Sequence, residues 1–225
     1  MPKQIAEGLW TLEHDFAMPG GIEIGTRTSV VRLQDGGLWL HAPGNLDDTQ
    51  VDWLRGQGPV RAIVAPNLFH HLFLRAAVAN FPGARLFAPH ALADKCPGLR
   101  FERLCDAPPV LWEGALEQVR VDGAPRLAEF AFLHVASRTL LLTDLCFNVH
   151  RARNLRTRLA LGALGAWKRF GPSRLGRSLM RERGRVRRSV DRILAWDFDR
   201  AIVSHGDIVE EGAHESLRQA FAWLK

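Results

Sequence analysis

The sequence predicts a layered α/β fold, and three observations carry that expectation. Short β-branched and apolar runs outnumber helical patterns in the first part of the chain. A helix-spaced apolar pattern follows most of the later runs, which is how helices come to cover the faces of a sheet. The hydrophobic fraction is 47%, enough for a sizeable core in 225 residues. No internal repeat or low-complexity linker divides the chain, so we expect a single domain over residues 1–225 with a basic helical insert at about 148–197.

The elements follow in order. Residues 8–12 and 22–24 read as short strands separated by the turn-rich Met18-Pro19-Gly20-Gly21. Residues 28–33 alternate and are rich in β-branched side chains. A tight turn at Gln34-Asp35-Gly36-Gly37 leads to Leu38–His41, a β-hairpin pattern. Asp47 or Asp48 can cap a helix through Leu54. Val60–Val64 has the length and branching of a buried strand, and 71–81 has helical spacing ended by Pro82-Gly83. A short strand at 86–88 runs into Pro89, placed for the first turn of a helix over 90–95. Residues 97–110 read as loop. Strands are expected at 116–121, 129–134 and 139–143, then helices at 154–169 and 173–196, broken by Phe170-Gly171-Pro172. A strand at 201–204 and an amphipathic helix at 213–224 close the chain.

Composition excludes some classes of function. No run approaches the roughly 18 apolar residues that span a bilayer. The first residues, MPKQIAEGLWTLE, lack the apolar core of a secretory leader. Cys96, Cys105 and Cys146 are too few and too scattered for a disulfide framework or a thiolate metal site. A reducing cytoplasm is the simplest compartment. G-x-S-x-G, P-loop and dinucleotide-binding glycine patterns are absent.

Four polar side chains share one placement, just past the C-terminal end of an expected strand: His70 and His71, Asp144, and His205. Loops at such ends gather on one edge of a sheet, where sites are commonly built. Three imidazoles and a carboxylate suit a divalent transition metal, zinc first and iron or manganese next. Asn67, Thr143, Ser204 and Asp207 flank them and could hold the ligands in place. Each also has a plainer reading: a helix-start histidine pair, an Asp capping a turn, a strand-end histidine bonded to backbone.

In this order of elements, with GTRTSVVRLQDGGLWLHAPG, VRAIVAPNLFHHLF, SRTLLLTDLCFN and DRAIVSHGD, the chain resembles the metallo-β-lactamase fold superfamily. Within it, the chain is similar to a bacterial branch with a degenerate metal motif. The resemblance covers most of residues 20–207 and implies a four-layer αββα sandwich. The superfamily's loop reads H-x-H-x-D-H; here Pro66 and Leu68 stand at its first two histidines and His70 at its Asp, while His71 matches its last histidine. Asp144 matches the bridging Asp and His205 the terminal histidine. No histidine fits the third ligand of the first metal site; His134 lies too close, and Glu129 is the nearest polar residue. The resemblance therefore implies one metal, held by His70, His71, Asp144 and His205, with Asp144 orienting a water, or no metal if the site is fully degenerate. His41, at a strand end, Asn67 and Glu129 would support the ligands. Four protein ligands would fill a tetrahedral shell, and a reactive water needs an open position.

The net charge of +6 is unevenly spread. Residues 150–192 hold fourteen Lys and Arg against Glu182 and Asp191, a local excess of +12 that leaves −6 on the remainder. Leu155, Leu159, Leu161, Leu164 and Trp167 make one apolar stripe in this insert, and Leu175, Leu179, Val186, Val190, Ile193 and Leu194 another. A helical cap with solvated arginines is one reading. Attraction of an anionic substrate, a nucleic acid, a membrane surface or a second copy is the other. Two functions stand at this point. One is a mononuclear metal-dependent hydrolase of a small, anionic substrate. The other is a non-catalytic binding or structural module on the same fold.

Overall fold

In a computed structural model, residues 1–224 are described. They form two sheets that face each other, with helices on both outer faces. The first sheet holds β1 (Lys3–Ala6), β2 (Leu9–His14), β5 (Thr26–Arg32), β6 (Leu38–His41), β7 (Val60–Val64), β8 (Arg85–Ala88) and β9 (Glu102–Arg103), side by side in that order. The second holds β10 (Leu116–Arg120), β11 (Phe130–His134), β12 (Thr139–Leu142) and β13 (Arg200–Val203). A small hairpin, β3 (Ala17–Met18) and β4 (Ile22–Glu23), stands apart.

The two inner faces build one core. Val31, Trp39, Val64 and Phe87 of the first sheet interleave with Phe130, Phe132, Leu141 and Ile202 of the second. The outer face of the first sheet packs Leu40 and Ile63 against α1 (Asp48–Gln57) and α2 (Leu74–Asn80). The outer face of the second packs Leu140 and Val203 against α5 (Arg183–Leu194) and α6 (Ala213–Ala220). Because β6, β7 and β8 run parallel, as do β12 and β13, their C-terminal ends meet at one edge of the sandwich. Among the described residues no helix is long and apolar enough to cross a membrane.

Several expected elements shift. The helix expected over 71–81 starts only at Leu74. The Asn67 Oδ1 accepts the backbone N–H groups of Phe69 and His70, both at 2.9 Å, and this side-chain turn competes with a helical start. The helix expected over 173–196 is two: α4 (Arg174–Leu179), capped by Ser173, and α5. The break at 180–182 is pinned where the Glu182 N–H bonds the Gly123 carbonyl. The helix expected over 154–169 is α3 (Leu155–Ala163), capped by Asn154 and followed by Gly165 at φ 63°. Its expected stripe does not face one core: Leu161 is buried, whereas Leu155 and Leu159 are 66% and 63% exposed. β1 and β9 are edge strands too short or too polar to read from alternation.

Candidate metal centre

Asn67 is the hub of the site, and it lies on the loop that follows β7. Its oxygen is fixed by the two loop N–H groups, so its amide nitrogen faces the second sheet. There it donates to Glu129 Oε2 at 3.0 Å, Thr143 Oγ1 at 2.9 Å and Asp144 Oδ2 at 2.6 Å. Glu129, fully buried before β11, accepts the N–H groups of Thr143, Asp144 and Leu145 at 2.8–2.9 Å. One loop of the first sheet and one of the second are thereby locked together through an amide and a carboxylate. Burial, followed by the charge of Asp144, raises Glu129 to about 7, and the hydrogen bonds from Thr143 and Asn67 pull the other way.

Asp144 emerges from this network beside two imidazoles. His70 Nε2 lies 3.3 Å from Asp144 Oδ2, and His205 Nε2 lies 3.6 Å from Oδ1. Burial alone would push the Asp144 carboxyl up, but His70 and His205 outweigh it and hold it well below the usual carboxylate range. His205 Nδ1 bonds the Gly25 carbonyl at 2.7 Å. That bond puts the proton on Nδ1 and turns the Nε2 lone pair inward, the usual arrangement of a metal-binding histidine. Phe147 stacks on the His205 ring, 5.3 Å away.

His70, Asp144 and His205 each offer one donor atom within 4.8 Å of the others. Two imidazoles and a carboxylate with a set tautomer fit a divalent transition ion. His71 lies outside this group. Its ring lines the adjacent cavity with Nδ1 buried and unbonded among the described residues, and burial, then Lys95, lowers its pKa. Three donors rather than four leave a coordination position free.

The remaining candidates separate. His41 sits at the end of β6, buried and stacked on Trp39 at 5.4 Å, with its Nε2 unbonded among the described residues. Burial, and secondarily the His70 charge, hold it down at about 3. His134 is a buried histidine bonded to Ser137 Oγ at 2.7 Å. Pro66 and Leu68 have other duties. Leu68 is buried in the core with Leu74 and Leu92, and the Pro66 carbonyl accepts the Phe130 N–H at 2.8 Å.

Arg27 escaped the sequence reading. Buried within β5, its guanidinium donates to the carbonyls of Val203 and Gly206, which bracket His205, and to Glu13 at 2.6 Å. The signal was present as an arginine inside the β-branched run Thr26–Arg32, where a charge without a partner would be costly.

Comparison with known proteins bears on the fold. Residues 6–92 match a family described as a domain of unknown function, DUF4336. Among curated proteins none matches. Solved structures are similar over nearly the whole chain. A metallo-β-lactamase from Pontibacter korlensis aligns at TM-score 0.69 and 13% identity, over 99% of each chain. The mono-zinc form of the metallo-β-lactamase FIM-1 from Pseudomonas aeruginosa aligns at 0.65 and 15%, over 99% of this chain and 94% of that one. The metal-soaked Flv1 flavodiiron core from Synechocystis sp. PCC6803 aligns at 0.67 and 11%, over all of this chain and 60% of its own. The chain has the metallo-β-lactamase fold.

Proposed function

We propose that this chain is a mononuclear metal-dependent hydrolase of a small substrate. The observation that carries the reading is the convergence of His70, Asp144 and His205 on the wall of a cavity, with the His205 tautomer already set by Gly25. A divalent ion held by these three would supply Lewis-acid polarisation of a substrate carbonyl and activation of water. Asp144, ionised and steadied by Asn67, would accept a hydrogen bond from the attacking water. Leu68 and Pro66, engaged elsewhere, argue for one ion rather than two. Zinc is the first choice of ion, iron or manganese the next.

The test is metal content after repletion with zinc, iron and manganese, followed by hydrolysis of a chromogenic ester. We expect near-stoichiometric metal in the wild type, lost in His70→Ala and His205→Ala, and retained in His71→Ala. Ester hydrolysis should follow the metal. A wild type that stays metal-free would sink the reading. A loaded, inactive protein would favour the binding module instead.

A further inference from the structure

A cavity of about 330 Å³ opens directly from the His70–Asp144–His205 group, at the lower end of the roughly 300–1,000 Å³ usual for small-molecule pockets. Several separate parts of the chain wall it. The β3–β4 hairpin contributes Met18 and Ile22, the histidine loop Phe69 and Phe73, and the insert Leu164 and Leu175. The insert is tied over the cavity: the Glu23 N–H donates to Thr157 Oγ1 at 2.8 Å, and Asn154 Nδ2 donates to Glu23 Oε1 at 3.0 Å.

The distribution of polarity is one-sided. Apart from the three donors and His71, the polar side chains on the wall are Thr26 and Ser173, and Ser173 Oγ is taken up in capping α4 through Gly176 at 3.0 Å. Among the described residues no Lys or Arg lines the cavity, although the insert that roofs it holds fourteen. Those side chains turn elsewhere. Arg187 pairs with Asp191 at 2.8 Å and Arg192 approaches Asp106 at 3.8 Å. Arg177 and Arg183 cover the Trp223 ring at 4.9 and 5.6 Å. Beyond the His70–Asp144–His205 end an anionic group would meet no counter-charge on the wall, whereas an apolar body loses water there at no polar cost. At the rim Phe69 and Leu175 are 43% and 54% exposed, so the apolar surface continues outward.

We propose that the site takes uncharged carboxylic esters with an apolar acyl body, the carbonyl against the His70–Asp144–His205 end and the hydrocarbon under the insert. The substrate class rests on the hydrolase reading above. In that reaction the acyl C–O bond breaks, a C–O bond to water oxygen forms, one proton of the water goes to the leaving alcohol and the other is released from the acid.

The experiment separates binding from turnover. Straight-chain methyl ketones, from four carbons to eleven, carry the carbonyl and the chain but cannot be hydrolysed. Titrated into zinc-repleted protein, they should bind roughly fourfold tighter per added methylene until the cavity is filled. Leu175→Glu, at a half-exposed rim position, should weaken the long ketones about tenfold. Leu159→Glu, exposed on α3 and outside the cavity, should leave them unchanged. Affinity that is flat with chain length overturns the proposal, as does an equal response of the two variants. Chain-length-dependent binding in a protein that hydrolyses no ester of the same series upholds the apolar ligand class and removes the hydrolase reading alone.

Discussion

Asn67 and Glu129 are buried and face each other across the two sheets, so neither can exchange a lost partner for water. The Glu129 carboxylate accepts hydrogen bonds from three backbone N–H groups and from the Asn67 amide. Glu129→Gln keeps the shape but turns an NH₂ toward a donor. We expect it to cost on the order of 2–4 kcal/mol in urea unfolding. Zinc affinity should fall about 10- to 100-fold, because Asp144 loses the network that aims it. Asn67→Ala should do the same to affinity. Unchanged zinc binding in both variants would show that the network holds the loops and not the ligand. The sequence placed both residues near the site, but not their contact, since 62 positions separate them.

Across elements, the segment from β13 into the next turn is held from both sides. Arg27 of β5 grips the carbonyls of Val203 and Gly206, and the Asn148 N–H donates to the His205 carbonyl at 3.1 Å. Gly206 sits at φ 104°, and a Cβ there would overlap the backbone of Asn148 and Val149. Gly206→Ala should therefore lose more than about 2 kcal/mol in thermal unfolding, together with zinc affinity, as His205 is displaced. A variant with wild-type stability and metal content would refute this tie. The His-Gly pair was visible in the sequence as a site signature. What needed the glycine was not visible, because the crowding comes from a segment nearly sixty residues earlier. The insert shows the same division. Its helical character was legible from spacing, but not the break at 180–182, and Leu155 and Leu159 point outward and Leu164 and Leu175 toward the cavity. A helix pattern alone does not say which neighbour a stripe will meet.

For the whole molecule, buried neutral imidazoles make stability depend on pH. His14, His41 and His134 all titrate below the usual 6.5, chiefly because burial disfavours the charged form. Below 6.5 the unfolded chain takes up protons that the folded chain refuses, so this stability is complete above 6.5 and is lost as pH falls. Glu129, raised to about 7, acts with the opposite sign over much of the same range, and a comparison between variants removes it. His41→Phe keeps the stack on Trp39 and deletes an unbonded buried nitrogen. Relative to the wild type it should gain on the order of 2 kcal/mol between pH 7.5 and pH 5, from a folded value of about 3. The measurement is urea unfolding of the metal-free proteins at the two pH values; a constant difference would show that His41 takes up its proton as readily in the fold as in the unfolded chain.

The sequence by itself determined the layered α/β class, the strands Leu38–His41 and Val60–Val64 to the residue, and the placement of His70, Asp144 and His205 after strand ends. Those are local properties: alternation, branching and turn residues act within a few positions of the chain. Only the tertiary structure decided that His71 turns to the cavity while His70 joins Asp144, that Arg27 holds the far side of His205, and that a strongly basic insert presents an apolar face to the site. Each of these depends on which distant segment fills the space beside a side chain, and close packing of two sheets sets that choice.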